Sequence, residues 1–291
     1  MLEIFNGVGV ALVTPFYKNQ IDYISLQNLI NSCLSKGAKA IVILGTTGEG
    51  STISLPERKT MISFCKNLIG DKAKLVVGTG NNNFSTCLEN TLMAKILGAD
   101  AALVVTPYYN KTTQNGIVKY YAELAKIGIP LIAYNVPSRT GLNIEIETLK
   151  KMIDSNEWLY GIKESTCDIN RIQKIHKICK DKIAVYSGED DLNYMFYCLG
   201  SSGCISVTAN VCCQKTAKVF EETKKGNYAN ALDVQSTLYP LNKFLFCETN
   251  PIPVKYVLKK TGLIKSDEVR LPLVPLSKSS RTKFEKIKEK Y

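Results

Sequence analysis

The sequence predicts an α/β chain, a (β/α)8 TIM barrel followed by a helical C-terminal extension. Three observations predict it. Eight short apolar, β-branched runs have successive starts 20 to 34 residues apart, which is room for one strand and one helix per unit. The runs are apolar almost throughout instead of alternating, as parallel strands buried on both faces are. No GxGxxG follows the first run, which disfavours a doubly wound sheet.

The first four runs are VGVALVTP at 8–15, AIVILGT at 40–46, KLVVGTG at 74–80 and AALVVTP at 101–107. The second four are PLIAYNV at 130–136, LYGIKES at 159–165, IAVYSG at 183–188 and GCISVT at 203–208. The segments between them carry helical periodicity. Residues 23–36 place Leu26, Leu29, Ile30, Cys33 and Leu34 on one face and end at Gly37. SLPERKTMISFCKNLIG opens on Ser54 as a cap, with Pro56 early and Glu57 three residues on, and stops at Gly70, a well-specified helix. Past about residue 225 the strand pattern ends. Residues 227–246, 253–260 and 279–291 read as helices, so the chain divides into a catalytic barrel at 1–225 and a helical unit at 226–291.

Composition narrows the function classes. The 291 residues are 45% hydrophobic and 22% charged, ordinary for a globular protein. No apolar run reaches the 18 or so residues of a membrane span, and the N-terminus lacks a basic n-region and a cleavage site. The expectation is a cytoplasmic protein with no membrane contact. Ten cysteines are scattered without a CxxC pair and read as small buried thiols in a reducing compartment. His176 is the only histidine, which leaves a zinc site or a Ser-His-Asp triad little to work with. It lies among charges in RIQKIHKICK and reads as a surface residue. The net charge of +11, from 37 basic and 26 acidic residues, is spread along helices. No nucleic-acid-binding motif accompanies it, so anionic substrates are its more useful consequence.

In such a barrel the chemistry sits at the carboxyl ends of the strands. The sixth run ends in Lys163, beside Gly161 and Ile162. An ammonium in a buried strand is costly unless it is paired or loses its proton. Deprotonated, it is the nucleophile that forms Schiff bases with carbonyl substrates; the competing reading is a lysine that snorkels to water or pairs with Glu164. After the second run, GTTGEGS at 45–51 offers Thr46, Thr47 and glycine-freed amides, suited to a carboxylate or phosphate or needed only for a tight turn. The fourth run ends in TPYYNK, with Tyr108 and Tyr109, and the fifth in YNVPSRTG, with Tyr134 and Arg139. Gly188 in SGED permits close backbone approach, and Ile205 supplies an apolar wall. These parts fit an imine mechanism. Lys163 attacks the ketone of a 2-oxo acid while Thr46 and Thr47 hold its carboxylate. Tyr134 relays protons through Thr46 and Tyr109, and Arg139 positions a second acidic substrate.

GTTGE at 45–49, TPYYNK at 106–111, YNVPSRTG at 134–141, GIKE at 161–164 and NPIPVK at 250–255 together resemble the dihydrodipicolinate synthases. These belong to the N-acetylneuraminate lyase superfamily of class I aldolases. The resemblance spans essentially the whole chain. It implies condensation of pyruvate with L-aspartate 4-semialdehyde in the diaminopimelate route to lysine, with no cofactor beyond the imine itself. Lys163 matches the Schiff-base lysine, Tyr134 the proton donor and acceptor, and Thr46 and Tyr109 the rest of the relay. Tyr109 is expected to reach in from a neighbouring subunit of a homotetramer, a dimer of dimers. Thr47 and Ile205 match pyruvate contacts, and Arg139 the receiver of the semialdehyde carboxylate. The nearest rival reading is a pyruvate-dependent lyase of the superfamily acting on a sugar acid or a 4-hydroxy-2-oxo acid; sugar-acid lyases share the lysine but usually lack that arginine. A nucleic-acid-binding protein and a catalytically dead member of the family are the more distant rivals. Some lysine-inhibited members carry histidines where this chain has Leu55 and Arg58, and an acid where it has Thr86, so feedback by lysine is expected to be weak or absent.

Overall fold

The computed structural model describes residues 2–288. Eight parallel strands close into a barrel: β1 (Gly7–Ala11), β2 (Ala40–Ile43), β3 (Lys74–Gly78), β4 (Ala101–Val105), β5 (Leu131–Asn135), β6 (Leu159–Glu164), β7 (Ala184–Ser187) and β8 (Gly203–Ser206). β1 pairs with β2 on one side and with β8 on the other, with Gly9 opposite Ala40 and Gly7 opposite Gly203. That closure excludes the doubly wound alternative, whose sheet has two free edges.

Each of the eight apolar runs coincides with one strand, β1 starting one residue ahead of its run, and each run outlasts its strand. The reason is visible at β2, where the chain leaves the sheet at Leu44, whose φ of 58° is left-handed. The residues that follow, though small and apolar enough to look like strand, form the loops of the barrel mouth. One feature has no counterpart in the sequence reading: a hairpin of Phe16–Tyr17 and Gln20–Ile21. Lys18 and Asn19 turn it with φ of 53° and 60°, the paired positive values that match the twist of two antiparallel strands.

The helices keep their sequence logic. Tyr23–Ser35 begins under Asp22, whose carboxylate accepts the Ser25 N–H at 3.1 Å, and buries Leu26, Leu29, Ile30 and Cys33. Leu55–Ile69 starts at Ser54, whose N–H donates to Glu57 at 2.9 Å. Beyond the barrel come Tyr228–Leu245, Ile252–Lys260 and Lys278–Glu285. The last is shorter than the expected 279–291, of which 289–291 lie outside the described residues. Leu238, Leu241, Val254 and Leu258 of these helices join the same apolar core as the barrel strands.

Two expectations need correction. His176 is half-buried, not a surface residue: its Nε2 is 2.9 Å from Ser201 Oγ and its ring lies edge-on to Phe196. Burial holds its pKa down, at about 4, because neighbouring charges on a helix do not prevent its one inward face from packing. Of the free thiols, Cys167, Cys198 and Cys247 are exposed; cysteine identity alone does not reveal which helix face it occupies. No described helix is long and apolar enough to cross a membrane.

Candidate active site

Successive residues of a strand face opposite ways, and on β5 and β6 that alternation separates chemistry from support. Tyr134 and Lys163 are register partners and face the barrel interior. The Lys163 Nζ lies 4.1 Å from the centroid of the Tyr134 ring. Their neighbours Asn135 and Glu164 face outward and lock the two strands. Asn135 Nδ2 donates to both Glu164 carboxylate oxygens at 3.0 Å, and Arg171 Nη2 donates to the same group at 3.1 Å. Glu164 is fully buried, so it is Arg171, not Lys163, that compensates its charge. The lysine–Glu164 pair considered from the sequence does not form. Lys163 is 7% exposed and has no ion-pair or hydrogen-bond partner among the described residues.

A cavity of about 240 Å³ opens in front of Lys163. Thr46, Thr47, Tyr134, Arg139, Gly188 and Ile205 line it together with Lys163. Seven of the eight residues proposed from the sequence thus come together. Tyr109 does not: it is 91% exposed, with φ of 66°, and is absent from the cavity wall of its own chain. A second cavity of about 320 Å³ adjoins the first, reaching past Tyr108 towards Arg58. Thr46, Tyr134, Arg139 and Asn250 border both. Arg139 sits on the short helical turn Pro137–Thr140, exposed and without an ion-pair partner among the described residues. A free guanidinium at such a mouth is available to an incoming carboxylate.

Gly188 is required by close approach. A Cβ there would lie 1.9 Å from Ser165 Oγ and 2.9 Å from Lys163 Cε, so any side chain would displace the amine. The loop after β2 has a similar demand at Gly50, where a Cβ would lie 2.0 Å from the Leu44 carbonyl oxygen.

Two cavity residues escaped the sequence reading. Asn250 donates from Nδ2 to Thr47 Oγ1 at 2.9 Å, while its own Oδ1 is buried without a partner; NPIPVK flagged the segment but assigned this residue no task. Glu189 follows Gly188 in SGED and lines the cavity with Lys163. Burial, reinforced by Asp190 and opposed by Lys163, pushes its carboxyl up to about 7. A carboxyl held near neutrality repels an anionic substrate less than an ionised one does. No group of three or more histidine, cysteine or acidic side chains is placed to hold a metal among the described residues.

The arrangement is therefore a buried primary amine, two threonines and a tyrosine around a small cavity with one cationic gatepost. Chemically it suits imine formation with a small oxo acid. Residues 4–290 match the model of the dihydrodipicolinate synthetase family. The 4-hydroxy-tetrahydrodipicolinate synthase of Fervidobacterium nodosum is 41% identical over 287 residues, 98% of each chain. That of Thermodesulfovibrio yellowstonii is 43% identical over 284 residues, 97% of each. Among solved structures, the chloride-inhibited dihydrodipicolinate synthase of Acinetobacter baumannii complexed with pyruvate superposes with a TM-score of 0.95, at 38% identity and 98% coverage of both chains.

Proposed function

Because this chain belongs to the dihydrodipicolinate synthetase family, we propose that it condenses pyruvate with L-aspartate 4-semialdehyde through a Schiff base on Lys163, as a 4-hydroxy-tetrahydrodipicolinate synthase. The observation that carries the reading is Lys163 itself, buried, facing the cavity and unpaired. Its Nζ lone pair adds to the ketone carbon of pyruvate, and the carbonyl oxygen leaves as water. The iminium so formed is an electron sink, so the adjacent methyl loses a proton and becomes an enamine carbon nucleophile. That carbon attacks the aldehyde of the semialdehyde. The amino group of the second substrate then closes on the imine carbon and displaces Lys163, which regenerates the enzyme. No cofactor takes part in this sequence.

Thr46 and Thr47, at the start of the loop after β2, receive the pyruvate carboxylate. Tyr134 is the proton donor and acceptor beside the amine, with Thr46 and Tyr109 completing the relay, a role contributing about 10²–10⁴-fold. Ile205 and Gly188 wall the methyl side. Arg139 at the mouth receives the semialdehyde carboxylate, and that argues against a lyase of sugar acids, as do the full-length relatives that carry the synthase name.

We further propose a cytoplasmic homotetramer, a dimer of dimers, in which Tyr109 enters the site of the adjacent subunit. Its 91% exposure and left-handed backbone support this. A bulky residue holds such a conformation only where surroundings fix it, and the described residues of its own chain leave the ring uncovered.

Free lysine is expected to inhibit weakly or not at all. Arg58 is buried and donates to the carbonyls of Gly78 and Gly50 at 3.0 and 2.9 Å, so a second cation arriving there meets a fixed positive charge. A rate titration with lysine checks this; strong inhibition would contradict it.

The test of the reaction is trapping. Pyruvate with borohydride should leave a reduced pyruvyl adduct on Lys163, located by peptide mass spectrometry. An adduct on another lysine, or none, would overturn the reading.

A further inference from the structure

The loop proposed to receive the substrate carboxylate is not held by the barrel alone. Glu49, at its end, keeps only 2% of its side chain exposed and pairs at 2.5 Å with Lys255, which is 0% exposed. The other Glu49 oxygen accepts the Arg270 N–H at 3.0 Å. Arg270 in turn donates to the Thr52 carbonyl at 3.0 Å and grips Glu57. Asn250 holds Thr47 at 2.9 Å. All these clamps come from the C-terminal extension, 203 to 221 residues along the chain from their partners.

A buried ion pair is poor evidence of a stability role, since apolar replacement of both partners is often neutral or stabilising. The backbone offers another reason for this one. Leu44 and Glu49 both take left-handed φ, 58° and 52°, and a residue other than glycine persists in that conformation only where its surroundings over-determine it. Between those two strained hinges lie Gly45, Thr46, Thr47 and Gly48. Glu49 also closes the turn onto Thr46, its N–H donating to the Thr46 carbonyl at 3.1 Å. Fixing the Glu49 carboxylate therefore fixes the hinge, and the hinge sets where the threonines point.

We propose that Lys255, acting through Glu49, is a positioning residue that holds Thr46 and Thr47 in the geometry that receives the pyruvate carboxylate. The inference rests on the reaction proposed above. Lys255 does not touch substrate: the cavity lining includes Asn250 and Thr47 but not the lysine. Its amine instead packs over the Phe16 ring, 4.1 Å from the centroid, which ties the short hairpin to the clamp.

The experiment compares wild type, Lys255→Met and the double variant Glu49→Met/Lys255→Met. Steady-state rates and borohydride trapping are followed against pyruvate concentration, with circular dichroism and thermal melts alongside. In Lys255→Met the pyruvate KM should rise about ten- to hundredfold, the scale of a small misplacement of binding groups, while the semialdehyde KM stays within about twofold. The double variant should recover the melting temperature without recovering the pyruvate KM. That split separates positioning from mere support, because a structural role would restore both together. A pyruvate KM within about twofold of wild type in either folded variant overturns the inference. If Lys255→Met does not fold, the double variant decides by the same criterion. No adduct in the wild type would overturn the reaction and this inference with it. A normal wild-type response beside an unchanged variant KM overturns the inference alone.

Discussion

Lys163→Met should abolish turnover and at the same time make the protein harder to melt. Methionine is unbranched like lysine and one atom shorter, so it fits the slot between the Tyr134 ring and Gly188. It cannot form an imine, and loss of a covalent path should lower kcat by at least about 10⁴-fold. The amine it replaces is 7% exposed and has no ion-pair or hydrogen-bond partner among the described residues. Burying such a group costs roughly 1–3 kcal/mol. Methionine removes that cost, so the gain expected is on the order of 1 kcal/mol, a few degrees in a chain of this size. Calorimetry and steady-state kinetics on the purified variant check both halves. A lower melting temperature would mean that Lys163 is a structural lysine, and the imine role would lose its physical basis.

Arg139→Ala is the second large effect, and it should fall on one substrate only. Because Arg139 is exposed and unpaired in the described structure, its removal leaves folding untouched. What is lost is a charge-assisted, bidentate contact to a carboxylate, about 1.5–3 kcal/mol. That corresponds to roughly 10- to 150-fold in kcat/KM for the semialdehyde. Pyruvate trapping on Lys163 should proceed as in the wild type. Arg139→Lys should recover only part of the loss, since a point charge cannot reproduce the planar fork. If trapping itself fails in Arg139→Ala, the arginine acts on pyruvate and the assignment of the second substrate is wrong.

Much of this protein was legible in its residue order because barrel strands and helices are specified locally. Apolar runs of β-branched residues gave eight strands, and caps such as Ser54 with Glu57 gave the helix starts, since those signals depend on neighbours a few residues away. Lys163, Tyr134, Arg139 and the two threonines were legible for a related reason. Each stands at the carboxyl end of a run, and closing the barrel carries those ends to one mouth. The strand limits were less legible, because mouth loops rich in glycine and threonine prolong the apolar pattern.

The tertiary structure decided what sequence spacing cannot. Whether Lys163 pairs with Glu164 depended on strand alternation, which turned the acid outward to Arg171 and left the amine alone in its cavity. Whether Tyr109 serves its own site depended on the backbone at one residue, which sends the ring to solvent. The clamps on the carboxylate loop join residues more than two hundred positions apart, and their strength comes from burial that only the packed C-terminal helices create. Residue order determined which groups are present at the strand ends; closure and burial determined which of them are free to react and which are spent holding the others in place.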